Sequence, residues 1–132
     1  MSQPPQKKKL LVVDDEEMIR KMVALLFERE GFFVLTADNG SEGLRLAIAE
    51  KPDVVLLDIM MPGLHGFEVC RKIREQTQLA NTIIIFTSAK SYKPDIDKAK
   101  ELGANDYLIK PTDSANLLSV VNKHLAKAST AR

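Results

Sequence analysis

The chain has 132 residues, a single-domain length at which roughly two-thirds of the unfolded surface becomes buried, so one ordinary core is expected and a second is not. Nineteen Lys and Arg against eighteen Asp and Glu leave a formal charge of +1, which excludes a general electrostatic pull toward nucleic acid or anionic lipid. Cys70 is the single cysteine and has no internal disulfide partner; no signal pattern opens the chain, and the apolar stretch 54–61 falls short of the roughly 18 residues of a membrane span. A cytoplasmic protein whose function resides in a local site is expected.

Residues 1–7 carry two prolines and read as an N-terminal tail, residues 8–126 as one domain, and residues 127–132 as a small, polar C-terminal tail. Lys7, Lys8 and Lys9 read as a solvated flank of the first strand. Within the domain, short apolar runs alternate with segments of helical period. The runs are Leu10–Val13, Phe33–Leu35, Val54–Leu57, Ile83–Phe86 and Tyr107–Ile109. Being apolar on both faces, they predict strands of a sheet covered on both sides. Helical spacing appears in Ile19, Met22, Val23, Leu26 and Phe27; in Leu44, Ala47 and Ile48; in Phe67, Cys70 and Ile73; in Ile96, Ala99 and Leu102; and in Leu117, Val121 and Leu125. Gly31 and Gly103 stand where helix C-terminal caps are expected, and Pro52 separates the second helix from the third strand. Five strand-helix pairs in alternation predict an α/β fold with an open, doubly wound parallel sheet.

In such sheets ligands bind beyond the carboxyl ends of the strands, so the residues that end strands are the informative ones. The first strand ends in Asp14-Asp15, the third in Asp58, the fourth in Thr87-Ser88 and the fifth in Lys110-Pro111. Singly, each has an ordinary role as a cap or a solvated loop residue. Together they do not: carboxylates within about 4 Å repel by roughly 4 kcal/mol per pair at an effective dielectric of 20, and a marginally stable domain needs a cation to relieve that. An all-oxygen, carboxylate-rich set suits Mg²⁺ or Mn²⁺, ions that share their remaining positions with water and phosphate. Asp58 then reads as a nucleophile toward a phosphoryl group, with Lys110 offsetting charge on the phosphoryl oxygens.

The Asp14-Asp15 pair, the stretch Asp58-Ile59-Met60-Met61-Pro62-Gly63-Leu64-His65-Gly66, the Ser88-Ala89-Lys90 turn and the stretch from Leu102 to Pro111, in this order, resemble a two-component response-regulator receiver domain. The resemblance covers about residues 8 to 126 and is similar in kind to single-domain chemotaxis regulators. It implies a flavodoxin-like (βα)5 fold with a five-stranded parallel sheet. It implies Asp58 as phosphoacceptor, and Asp14, Asp15, Asp58 and the backbone carbonyl of Met60 as metal ligands. Lys110 and Ser88, with Thr87 as the fallback, become phosphoryl contacts; Ser88 and Tyr107 become the switch pair; Met60 and Lys90 become residues that tune phosphoryl lifetime. The Lys110-Pro111 bond is expected to be cis. His65 stands where the family more often has Asp or Asn and reads as a solvated loop histidine; His124 reads as a complement to the last helix's dipole.

By the same resemblance the partners are a histidine kinase or histidine phosphotransfer protein as donor, and a protein effector reading the face of the fourth helix, fifth strand and fifth helix. Direct nucleic-acid or membrane binding is not expected, and the chain is a monomer or a weak phosphorylation-dependent dimer. A receiver excised from a larger regulator or hybrid kinase, or a phosphorylation-independent binding module, is the alternative. A haloacid-dehalogenase-type phosphatase would need a second acid where Met60 stands, and a flavodoxin-like cofactor binder would need a Gly/Ser/Thr-rich loop where Asp14-Asp15-Glu16-Glu17 stands. The expected protein is therefore a phosphoacceptor that assists its own phosphorylation and dephosphorylation, not an enzyme turning over an external substrate.

Overall fold

The computed structural model describes residues 7–130. Its strands are β1 (Lys9–Val13), β2 (Phe33–Ala37), β3 (Val54–Asp58), β4 (Ile83–Ser88) and β5 (Asp106–Ile109). Its helices are α1 (Glu17–Arg29), α2 (Gly40–Glu50), α3 (Gly66–Arg74), α4 (Lys93–Glu101) and α5 (Ser114–Thr130), with a short 3-10 turn at Thr77–Leu79. All the strand pairs are parallel, in the order β2-β1-β3-β4-β5. The α/β, flavodoxin-like arrangement of five strand-helix units is thus present, and every strand sits where the apolar runs predict it.

Alternation along each strand divides the core in two. Leu11, Val13, Val55, Leu57, Ile84 and Phe86 pack against α2, α3 and α4, while Leu10, Val12, Val54, Leu56, Ile83 and Ile85 pack against α1 and α5. Three of the predicted helical faces need adjustment. Met22 and Ile48 lie at the margins of their stripes, 42% and 36% exposed, because Val23 and Phe27 in α1 and Ala47 in α2 occupy the stripe centres. In α4, Ala99 is the one fully buried residue, so this helix is held less firmly than the others. Gly31 and Gly103 adopt φ of 90° and 93°, the left-handed cap conformation expected of them.

At the carboxyl end, α5 runs on through Thr130, into the stretch read as a tail from residue 127, because Ala126, Lys127 and Ala128 are good helix formers. That places His124 in the body of the helix instead of its last turn. Its Nε2 lies 2.9 Å from Asp106 Oδ2, and its side chain is 11% exposed, so it ties α5 to β5; the dipole reading is corrected accordingly. Residues 1–6, 131 and 132 of the predicted tails lie outside the described residues. Among those described, no helix is long and apolar enough to cross a membrane.

The strand order reverses between β1 and β3, where β1 has its next-in-chain neighbour on one side and β3 on the other. Two glycines allow loops to close over this end of the sheet. A Cβ at Gly66 would run into the Asp58 carbonyl oxygen, and one at Gly40 would run into the Leu64 carbonyl oxygen. Gly66 N–H also donates to the Ile59 carbonyl at 2.9 Å, so α3 begins hard against the end of β3. Because the obstructing atoms are backbone, Gly66→Ala is expected to destabilise the domain by about 1–3 kcal/mol in urea unfolding, as overpacked sites do.

Candidate functional site

The switch point brings together the carboxylates that end β1 and β3. The register pairs Val13 with Leu57, so Asp14 and Asp58 leave adjacent strands side by side, 1% and 6% exposed. Asp15 follows on the solvent side, and one oxygen from each of the three lies within 4.8 Å of the others. Lys110, directly after β5, reaches across: its Nζ donates to Asp14 Oδ2 at 2.7 Å and lies 3.4 Å from Asp58 Oδ2 and 3.5 Å from Glu16 Oε1. Asp14 is held further by its own neighbourhood, its Oδ1 accepting from Glu16 N–H at 2.9 Å and its carbonyl from Arg20 at 2.8 Å.

One ammonium therefore faces three carboxylates, with Asp15 beside two of them. Burial, in the first place, pushes the Asp58 carboxyl up from its ordinary 3.8 to about 6; Lys110 opposes this, and Asp14 and Asp15 add to it. Burial works against the Lys110 ammonium, but the hydrogen bond and charge of Asp14 outweigh it and hold its pKa above the ordinary lysine value. The remaining negative charge, the oxygen-only donors and the solvent access at Asp15 fit a hard divalent cation of the Mg²⁺ type.

A family model for the response regulator receiver domain matches residues 10–122. The chain belongs to this family. Protein PilH of Pseudomonas aeruginosa is 43% identical over 106 residues, covering 80% of this chain and 87% of PilH. The transcriptional regulatory protein AfsQ1 of Streptomyces coelicolor is 43% identical over 93 residues; this receiver spans only 40% of its length, and 46% of the transcriptional regulatory protein CseB of the same organism. Among solved structures, the chemotaxis protein CheY4 of Vibrio cholerae superposes with a TM-score of 0.85 at 32% identity, covering 89% of this chain and 98% of CheY4. The BeF3-activated DrrB receiver domain superposes with a TM-score of 0.83 at 33% identity.

The remaining predicted positions of the receiver cluster around the turn after β4. Thr87 stands opposite Asp58 in the sheet register and lines an apolar cleft of about 150 Å³ together with Asp14, Met22 and Lys110. Ser88 is 3% exposed; its Oγ accepts from Lys90 N–H at 3.1 Å, and its carbonyl accepts from Lys110 N–H at 2.7 Å. The Tyr107 hydroxyl donates to the Lys90 carbonyl at 2.8 Å. Lys90 Nζ sits 5.5 Å above the Tyr92 ring, and Met60 is 57% exposed in the loop after Asp58. The Lys110-Pro111 bond is cis.

Three features escaped sequence reasoning. Glu16 as a further partner of Lys110 and Arg20 as a brace on the Asp14 carbonyl have no motif of their own. His65 reads as solvated in the sequence, yet its Nδ1 accepts from Phe67 N–H at 3.1 Å and caps α3. The signal was present in its place just before Gly66, where Asp or Asn would have been taken as a cap at sight.

Since the folded Asp58 holds its proton more tightly than the unfolded chain does, stability falls as pH rises from about 4 to about 6, and the cost of ionisation is complete above that window. Asp58→Asn is expected to gain about 1–2 kcal/mol at neutral pH without divalent cation, a figure already reduced for solvent screening, and to flatten that slope. Urea unfolding at both ends of the window measures it. Added Mg²⁺ should raise the melting temperature of the wild type and much less that of the variant.

Proposed function

We propose that this receiver accepts a phosphoryl group on Asp58 from the phosphohistidine of a histidine kinase or phosphotransfer protein, and that the phosphorylated form changes which protein it binds. The observation that carries this is a buried carboxylate flanked by two others within 4.8 Å and by the Lys110 ammonium at 3.4 Å. Asp14, Asp15 and Asp58, with the Met60 carbonyl, would hold Mg²⁺ or Mn²⁺, and the bound ion supplies charge neutralisation for phosphoryl oxygens.

The chain's own groups do the rest. Asp58 attacks phosphorus with a carboxylate oxygen while the bond from phosphorus to the donor nitrogen breaks, leaving an acyl phosphate. Lys110 favours the ionised Asp58 beforehand and faces the added charge afterwards. No group on the chain is released, so the protein is altered by the reaction it assists. The lone buried Cys70 fits a reducing, cytoplasmic setting.

Ser88 is the hydroxyl we assign to the phosphoryl group in preference to Thr87. Its Oγ uses a lone pair to accept from Lys90 N–H, which leaves the O–H free to donate. The Tyr107 hydroxyl holds the same residue by its carbonyl, so movement of Ser88 toward Asp58 shifts the anchor of Tyr107. Hydrogen bonds to charged groups contribute about 1.5–3 kcal/mol each, whereas a complete reversal of a two-state population needs roughly 5.5, so two or three such contacts suffice and one does not. The face that changes is α4, β5 and α5, with Tyr92 61% and Ile109 40% exposed. Lys90 and Met60, beside the site, would set how long the phosphoryl group survives.

The proposed partner is a protein effector, docked by a free-standing domain of residues 8–126 that is monomeric or weakly dimeric when phosphorylated. An attached effector is the second reading, favoured by the 40% share of AfsQ1 that the chain spans.

Intact mass after incubation with acetyl phosphate tests the acceptor. One phosphoryl group should be gained by the wild type with Mg²⁺, and none without Mg²⁺ or in Asp58→Asn; no gain with any donor would leave a phosphorylation-independent binding module. For the switch, Ser88→Ala should retain phosphorylation but lose most of the phosphorylation-dependent change in Tyr107 ring resonances, while Thr87→Val keeps it. The reverse ranking would move the role to Thr87.

A further inference from the structure

The start of α3 touches both halves of the site. Gly66, its first residue, packs on the Asp58 carbonyl, and Phe67, its second, sets its ring 5.4 Å from Phe86 at 86°, edge to face. Phe86 is fully buried in β4, immediately before Thr87 and Ser88. In the other direction, the loop from Ile59 to His65 carries Met60 and is pinned by the Gly66 N–H bond to Ile59 and by α2 at Leu64. Whatever fixes the first turn of α3 therefore fixes the Met60 carbonyl on one side and the backing of β4 on the other.

His65 fixes it. The imidazole Nδ1 accepts from Phe67 N–H at 3.1 Å, and the ring lies 5.1 Å from the Phe67 ring. An Asp, Asn or Ser cap accepts this bond at any pH near neutrality, but an imidazole accepts it only while Nδ1 keeps its lone pair. The His65 side chain is half-buried and open to protons from solvent. The charged group acting on it is Glu68 in α3, whose carboxylate is bound by Arg71 at 2.6 Å. On α2, which packs against Leu64, Glu42 is bound by Arg45 at 2.6 Å.

We propose that His65 is a positioning residue that makes metal binding at the Asp58 site depend on a proton outside the site: uptake of a proton at Nδ1 breaks the bond to Phe67, releases the first turn of α3 and loosens the loop that presents Met60. This rests on the reading of Asp14, Asp15, Asp58 and the Met60 carbonyl as the metal site. The proton comes from solvent and stays on the imidazole, so nothing else needs to move.

Asp58 itself takes up a proton in the same range, so the comparison needs a variant with a proton-independent cap. His65→Asn supplies one, and His65→Ala removes the cap. Mg²⁺ affinity is measured by NMR titration of the full chain, together with the Phe67 amide resonance, from about pH 7.5 to about pH 5.5, the range in which histidine commonly changes charge. Between those limits the wild type is expected to lose about threefold to tenfold more Mg²⁺ affinity than His65→Asn, the range that loss of one cap implies. The Phe67 amide should shift with pH in the wild type and not in His65→Asn, and the Phe67 amide of His65→Ala at the higher pH should resemble that of the wild type at the lower. Parallel profiles for the wild type and His65→Asn, with Mg²⁺ still bound, would overturn the role of His65 alone. Absence of Mg²⁺ binding in every variant would overturn the metal-site reading and the coupling with it.

Discussion

The structure turns on a deficit of positive charge. At the meeting of β1 and β3, Lys110 must answer to Asp14, Asp58 and Glu16 at 2.7, 3.4 and 3.5 Å, with Asp15 close by. A carboxylate at that depth would ordinarily be neutralised by a partner of its own. Here the ammonium is shared and its shortest contact goes to Asp14, so burial of Asp58, only partly offset by Lys110, leaves its carboxyl with a pKa of about 6. In the proposed reaction the residue that attacks is thus the one least well compensated, and a bound cation would relieve it.

Rigid packing makes that imbalance tolerable. Leu10, Leu11, Val13, Val54, Val55 and Leu57 are fully buried behind the acidic end of the sheet, so the carboxylates cannot separate without opening both cores. On the opposite flank the packing is thinner: α4 buries only Ala99 completely, and the turn that leads into it is held by bonds from Ser88 and Tyr107 to one residue, Lys90. Stiffness lies where charge is confined and compliance where a signal would leave, a division expected when one small domain does both.

Most of this could be read from residue order. Strands apolar on both faces and the Asp14-Asp15, Asp58, Ser88 and Lys110-Pro111 positions were legible because each is local: a run, a strand end, a turn. The misreadings were non-local. His124 reads as a dipole complement in the sequence because the helix's true end depends on Ala126–Ala128 continuing it, and because Asp106, its partner, is 18 residues away in the chain. His65 reads as solvated because a lone loop histidine usually is, and its bond to the Phe67 N–H depends on where α3 begins. Met22 and Ile48 fit the helical period and still lie at the margins of their stripes, since periodicity gives a face and not the width of what covers it. The choice between Thr87 and Ser88 is of the same kind: adjacent strand residues point to opposite faces, and the cleft beside Asp14 and Lys110 is lined by the first while the turn at Lys90 is held by the second.

That last pair shows how a small domain can couple a buried event to its surface. Thr87 and Ser88 point to opposite faces of β4, so in the proposed switch a group that pulls on Ser88 would act first on the side of α3 and α4. Lys90 presents its N–H to Ser88 and its carbonyl to Tyr107, and the two bonds lie on opposite edges of the same residue. In the proposed switch a displacement of Lys90, whose N–H and carbonyl belong to the two successive peptide units that flank its Cα, would alter both. In the proposed switch the free energy needed is confined to a turn of few contacts, while β1 and β3, which hold the carboxylates, stay as they are.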